Sequence, residues 1–231
     1  KANKPLVKEF IEERNLNVLF IIDVSSGMLT GSTEKLKSEY AAEMIATIAY
    51  SVLNSGDRVG FALFANKLIS DEKLTNKKSQ FSFLIDRLIN SEVYTGFFSF
   101  EEALKYAITY IEKNTIVFIV SDFITPIGWE YNLTLASRKL DLICVVIRDP
   151  IDMTLPDADL EVSLADPTTK EQLVINPSRI KAQFEAESKK QLNYVISQFE
   201  ENNLDYFMLM TNVGFLESLI EFFLKRQNKW R

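Results

Sequence analysis

Five short runs of residues, each apolar on both faces, constrain the fold of this chain more than any other feature. They cover residues 17–23, 59–65, 115–121, 141–147 and 204–210. A strand that is apolar on both faces is typical of a parallel sheet covered by helices on both sides. Amphipathic helical patterns separate the runs, at residues 34–54, 79–90, 99–113, 129–140, 178–202 and 214–227. The alternation predicts an α/β fold with a doubly wound, mostly parallel sheet.

Two segments depart from this alternation. Residues 64–74 continue a strand through a tight turn into a second strand-like piece, which predicts an antiparallel edge strand. Residues 159–175 alternate apolar and polar side chains around Asp166-Pro167-Thr168-Thr169, which predicts a small β-hairpin insertion. Because no repeat or linker interrupts the pattern, we predict a single domain over residues 1–231.

The composition excludes several classes of function. The chain contains no histidine, which excludes Ser-His-Asp chemistry and the usual catalytic zinc sites. Its formal net charge of −6 argues against nucleic acid as the main partner. Cys144 is the only cysteine and lies in the apolar run LICVVI, so neither an internal disulfide nor thiol catalysis is expected.

The sequence leads to expectations about the location and the length of the full protein. The single cysteine favours a reducing compartment, and we expect a cytoplasmic protein. No apolar run approaches the length of about 20 residues that a membrane helix needs. The first residue is Lys1 rather than methionine, so we expect the full-length protein to carry further N-terminal sequence.

Two aspartates follow predicted strands at the point where each strand ends. Asp23 closes the run NVLFIID, and Asp122 follows TIVFIVS. In doubly wound folds, ligands bind beyond the carboxyl ends of the strands, where the strand order reverses. If the two strands are neighbours, both carboxylates face one crevice, which is the first functional inference that the residues support.

These residues resemble a von Willebrand factor A-type domain, and the closer likeness is to the bacterial domain of unknown function fifty-eight family. The likeness extends over most of the chain. The segments that carry it are VKEFIEERNLNVLFIIDVSSGM (7–28), KLKSEYAAEMIATIAYSVLNSGDRVGFALFA (35–65), EEALKYA (101–107), IVFIVSDF (116–123) and VVIRDPIDMTLPDADLEVSLADPTTKE (145–171). The family likeness implies the doubly wound fold.

The resemblance also implies a metal-ion-dependent adhesion site for Mg²⁺ or Mn²⁺. Asp23, Ser25 and Asp122 match ligand positions of that site, and Thr95 is a substitute for its threonine. Mg²⁺ prefers six oxygen ligands, and an open position would accept a carboxylate from a partner protein. Gly27 stands where the site normally has a serine.

A second position departs from the motif as well. Phe98 stands where the site normally has its threonine, so two of the five expected ligands have no side-chain oxygen. We therefore expect a degenerate site with weak or lost metal affinity. Ser26 and Ser99 are neighbouring hydroxyls that could substitute if the loops were displaced.

The resemblance implies a non-enzymatic protein-binding module, acting as an adaptor or co-chaperone for a MoxR-type AAA+ ATPase. MoxR-type ATPases are commonly encoded beside members of this bacterial family. The partner surface we predict consists of Ser26, Gly27, Phe97, Phe98 and Ser99. For the phenylalanines, burial in the core is the alternative interpretation, and the one that the sequence favours.

Two alternative functions remain open. One is a structural or assembly domain with a vestigial crevice, in which Asp23 is dispensable for binding. The other is a phosphotransfer enzyme with Asp23 as the acceptor, although DVSSGM lacks the paired acid that such sites use for Mg²⁺.

Overall fold

The computed structural model describes residues 15–165 and 172–229. The strands are β1 (Asn17–Asp23), β2 (Arg58–Phe64), β3 (Leu68–Thr75), β4 (Thr115–Ser121), β5 (Asp141–Arg148), β6 (Val162–Ala165), β7 (Gln172–Ile175) and β8 (Asp205–Met210). The α-helices are α1 (Lys37–Asn54), α2 (Ser79–Leu88), α3 (Phe100–Tyr110), α4 (Glu130–Lys139), α5 (Pro150–Met153), α6 (Pro177–Glu201) and α7 (Phe215–Lys229).

Six strands form the main sheet in the order β3-β2-β1-β4-β5-β8. All pairs are parallel except β2 with β3, which is antiparallel at the sheet edge. The doubly wound fold predicted from the apolar runs is therefore confirmed, together with its antiparallel edge strand. The five predicted strands agree with the structure to within one residue at each end.

Two apolar layers cover the sheet, one on each face. Phe20, Phe61 and Phe118 belong to the layer packed under α1, α2 and α7. Ile21 and Ile119, adjacent in sequence to residues of the first layer, belong to the layer that contains α3, α4 and α6 residues. Successive strand residues point to opposite faces, so burial of both faces explains why the strands read as continuous apolar runs.

The hairpin insertion is also present as predicted. β6 and β7 form a separate antiparallel sheet, with Val162 opposite Ile175 and Ala165 opposite Gln172. The predicted turn at Asp166-Pro167-Thr168-Thr169 lies outside the described residues. A single domain over residues 1–231 stays a prediction. Within the described ranges, no helix combines the length and apolar character that crossing a bilayer requires.

The sheet order places a switch point between β1 and β4. The chain leaves β1 through α1 to β2 on one side, whereas β4 pairs with β1 on the other side. The loops after β1 and β4 therefore diverge and leave a crevice at the carboxyl ends of the two strands, where doubly wound folds bind ligands.

Candidate functional site

The crevice between β1 and β4 brings together the two aspartates that follow these strands. β1 and β4 pair in register, with Ile22 opposite Val120, so Asp23 and Asp122 leave the sheet side by side. Both carboxylates are buried, with 0% and 4% of the residue exposed. The convergence that the sequence predicted is therefore found in the structure.

Asp23 is held by hydrogen bonds from its own loop and from β4. Its Oδ1 accepts a hydrogen bond from the Ser25 backbone N–H at 2.8 Å, and its Oδ2 accepts one from the Ser121 hydroxyl at 2.6 Å. Burial, with a contribution from the charge of Asp122, raises the pKa of Asp23 to about 7. Desolvation and a like charge both disfavour the ionised form of a carboxyl group.

Lys37 is the cation of this crevice, and the sequence analysis did not identify it. Its Nζ lies 2.6 Å from Asp122 Oδ2 and 3.1 Å from Asp152 Oδ2, and its side chain is 2% exposed. Burial acts to lower the pKa of Lys37, but Asp122 and Asp152 outweigh that effect and hold the pKa above its ordinary value. The lysine is therefore charged at neutral pH.

A third buried carboxylate, Asp149 directly after β5, fixes the loops beside the crevice. It accepts hydrogen bonds from the backbone N–H and hydroxyl of Ser32 and, at 2.6 Å, from the Thr211 hydroxyl after β8. Burial opposes ionisation, but these hydrogen bonds lower the pKa of Asp149 below its ordinary value. Its backbone N–H donates to Asp152 Oδ2 at 2.9 Å, which positions one of the partners of Lys37.

The backbone turns sharply directly after Asp122. Phe123 adopts a left-handed conformation with φ of 52°, which few residues other than glycine adopt. Ser121, Asp122 and Phe123 are all buried at this turn. Such a backbone costs about 1–3 kcal/mol and is concentrated at functional sites.

Several predicted site residues have backbone roles in the two loops that meet at the crevice. The backbone N–H of Ser26 donates to the Gly96 carbonyl at 2.9 Å, and that of Thr95 donates to the Val24 carbonyl at 2.9 Å. Thr95 is an exposed residue. Ser99 caps α3, because its hydroxyl accepts a hydrogen bond from the Glu102 backbone N–H at 3.3 Å.

The three phenylalanines of the 97–100 segment separate into two environments. Phe98 and Phe100 are 2% and 0% exposed and lie in the core layer under α3. The prediction that Phe98 belongs to a partner surface is therefore wrong, because a ring buried in this layer is inaccessible. Phe97 is 54% exposed and remains available at the crevice rim.

The sequence analysis missed two exposed apolar side chains in the loop that leaves the crevice after β4. Ile124 and Ile127, in the loop after β4, are 50% and 79% exposed. The Thr125 hydroxyl in this loop donates to the Phe98 carbonyl at 2.8 Å, which ties the loop to the one that carries Phe97. We define Phe97, Ile124 and Ile127 as the apolar rim.

The residues at the crevice do not fit a divalent cation. A Cβ added at Gly27 would lie 3.6 Å from both Asp122 Oδ2 and Ser25 Oγ, so this position faces the acids but offers no oxygen. Phe98 also offers no ligand atom. The ammonium group of Lys37 is paired with Asp122 Oδ2, so that oxygen is not free to bind a metal ion. Among the described residues, no cluster of three or more His, Cys, Asp or Glu could hold a metal ion.

Comparisons with known proteins agree with this fold. Uncharacterized protein Rv1480 of Mycobacterium tuberculosis is 24% identical over 185 residues, which is 77% of this chain and 57% of that protein. The chain thus spans little more than half the length of this relative. The crystal structure of the conserved hypothetical protein BatB from Bacteroides thetaiotaomicron matches 93% of this chain and 100% of that chain, with a TM-score of 0.57 and 12% identity.

Another solved structure, an aerotolerance-related membrane protein from Bacteroides fragilis, matches 84% of this chain and 92% of that chain, with a TM-score of 0.51 and 15% identity. A von Willebrand factor type A protein from Catenulispora acidiphila is also among the structural matches, with a TM-score of 0.44, 14% identity, and coverage of 58% of this chain and 34% of that chain. At the level of sequence, the family model described as "Protein of unknown function DUF58" matches residues 1–194, and the chain belongs to this family.

Proposed function

We propose that the protein is a non-enzymatic protein-binding module whose docking surface is the apolar rim of Phe97, Ile124 and Ile127. The observation that carries the proposal is the exposure of these three large apolar side chains on two hydrogen-bonded loops above the β1–β4 crevice. Exposed apolar side chains grouped beside a cleft are typical of protein-interaction sites.

The state of the buried acids supports binding rather than catalysis. Asp23 is 0% exposed, and both of its carboxylate oxygens already accept hydrogen bonds. An aspartate that accepts a phosphoryl group must reach its donor in line, and the burial of Asp23 argues against that alternative. Burial also raises the pKa of the Cys144 thiol, which lowers its reactivity.

The partner that the family resemblance suggests is a MoxR-type AAA+ ATPase, for which this protein would act as an adaptor or co-chaperone. To test this, the protein is immobilised and the purified MoxR-type ATPase of the same organism is passed over it. Phe97→Asp and Ile127→Asp each place a charge on the rim. We expect each to weaken binding at least about tenfold, because replacing a central interface residue commonly costs about 1–2 kcal/mol of binding free energy or more.

The matched control for Ile127 is Ile89, which is 71% exposed at the end of α2. Ile89→Asp makes the same chemical change at a residue that is not part of the apolar rim and is expected to leave binding unchanged. Equal loss of binding in Ile89→Asp and Ile127→Asp would contradict docking at the rim. Binding that survives both rim variants would favour the alternative of an assembly domain with a vestigial crevice.

A further inference from the structure

Lys37 lies in an unfavourable place for a lysine unless the carboxylates of the crevice hold it there. It is the first residue of α1, where the partial positive charge of a helix N-terminus disfavours a cation. Only 2% of its side chain is exposed, so it has also lost the water that would solvate an ammonium group. Its two ion pairs, with Asp122 and Asp152, offset both costs.

We propose that the Lys37 ammonium is the resident cation of this site, and that it takes the place that the family resemblance gives to a divalent metal ion. The positive charge is then part of the chain, and the crevice keeps its shape without Mg²⁺ or Mn²⁺.

The hydrogen bonds of the two acids support this assignment. Each of the four carboxylate oxygens of Asp23 and Asp122 already accepts a hydrogen bond. The donors are the Ser25 and Ile124 backbone N–H groups, the Ser121 hydroxyl and the Lys37 ammonium group. A metal ion bound to Asp122 Oδ2 would have to displace Lys37 or lie against its positive charge, and such like charges repel strongly in a buried site.

The two departures from the metal-binding motif are consistent with the same assignment. Gly27 and Phe98 remove oxygens that a divalent ion would need, whereas an ammonium group has only three hydrogens to donate. Asp122 and Asp152 already provide acceptors for Lys37. The lysine therefore keeps both of these acceptors, although Gly27 and Phe98 provide no side-chain oxygen.

The assignment also limits how a partner can bind, and this consequence rests on the proposed function. A metal site with an open position attracts a carboxylate of the partner. Lys37 is buried and paired with two carboxylates, so it cannot take that role. Partner binding at the apolar rim is therefore expected to be equally strong in EDTA and in millimolar Mg²⁺.

The direct test uses Mn²⁺ as the probe and needs no partner protein. Electron paramagnetic resonance measures free Mn²⁺ during titration of the wild-type protein, of Asp122→Asn and of the double variant Gly27→Ser/Lys37→Met. We expect no binding to wild type at millimolar Mn²⁺. The double variant removes the ammonium group and adds a hydroxyl beside Asp122 and Ser25, so we expect it to bind one equivalent of Mn²⁺ at concentrations at least about tenfold below those at which wild type shows no binding.

Other outcomes overturn the assignment. If wild type binds one Mn²⁺ and Asp122→Asn abolishes that binding, a metal rather than Lys37 is the resident cation. If the double variant is folded by circular dichroism and binds no Mn²⁺, Lys37 is not what keeps the ion out. Should Lys37→Met prevent folding, Gly27→Ser/Lys37→Gln retains an N–H donor to the carboxylates and is judged by the same criterion. These measurements are independent of the rim variants, so this inference and the proposed function can fail separately.

Discussion

Replacing Lys37 with methionine tests the energetic importance of the buried cation. Lys37→Met keeps most of the side-chain volume but leaves Asp122 and Asp152 buried without their counter-charge. At an effective dielectric constant of about 20, charges separated by the observed distances attract each other by roughly 5–6 kcal/mol per pair. The cost of desolvating three charged groups offsets most of that attraction.

The net effect follows from what the variant leaves behind. Breaking a buried ion pair by removing one partner costs about 3–5 kcal/mol, because the remaining charge stays buried without compensation. We therefore expect Lys37→Met to lose about 3–5 kcal/mol of unfolding free energy at neutral pH, a large part of the stability of an ordinary domain.

Urea unfolding followed by circular dichroism measures these free energies, and the chain offers a matched control. Lys105 lies 2.8 Å from both Glu101 and Glu102, but its side chain is 48% exposed. Lys105→Met removes the same charge from a solvated pair and should change stability little. A loss below about 1 kcal/mol in Lys37→Met, or losses of equal size in both variants, would refute the reasoning that burial makes this ion pair important.

Three further predictions follow from the surroundings of the crevice. Phe98→Ala should lower the unfolding free energy measured in urea by about 3–5 kcal/mol. Phe97→Ala, at an exposed position, should change it by less than about 0.5 kcal/mol. Similar losses in the two variants would contradict the assignment of Phe98 to the core. Because the pKa of Asp23 is raised, the unfolding free energy of wild type relative to that of Asp23→Asn should decline as the pH rises from about 4 to about 7. A difference that is constant with pH would contradict the raised pKa. Thr211→Val removes the hydroxyl that donates to Asp149 and should cost about 1.5–3 kcal/mol in thermal or urea unfolding, and an unchanged stability would contradict an ionised Asp149.

The sheet could be predicted from sequence because its signal is local. Strands buried on both faces appear as continuous apolar runs, and each run here is followed by polar residues that mark where it ends. The convergence of Asp23 and Asp122 then required only one further assumption, that their strands are neighbours, and the pairing of β1 with β4 satisfies it. Topology rules were sufficient for this part of the site.

The cation of the site was missed because its position depends on packing rather than on sequence distance. Lys37 is 85 residues from Asp122 and 115 residues from Asp152, and lysines in helical patterns are ordinarily solvated. One signal was available: a lysine at the start of a predicted helix opposes the helix dipole and has to be explained. The environment of Phe98 could not be predicted for a similar reason, because the FFSF segment does not reveal which ring turns inward.

Gly27 provides a last test of why the site departs from the metal-binding motif. Its backbone does not have a positive φ, and a Cβ there would make ordinary contacts at 3.6 Å, so neither conformation nor space requires glycine. We therefore expect Gly27→Ser alone to change the unfolding free energy by less than about 0.5 kcal/mol in urea. A loss above about 1 kcal/mol would mean that packing excludes a side chain, and the missing oxygen would then be a consequence of the fold. A neutral result would leave the Lys37–Asp122 ion pair as the physical reason that the site tolerates a glycine at this position.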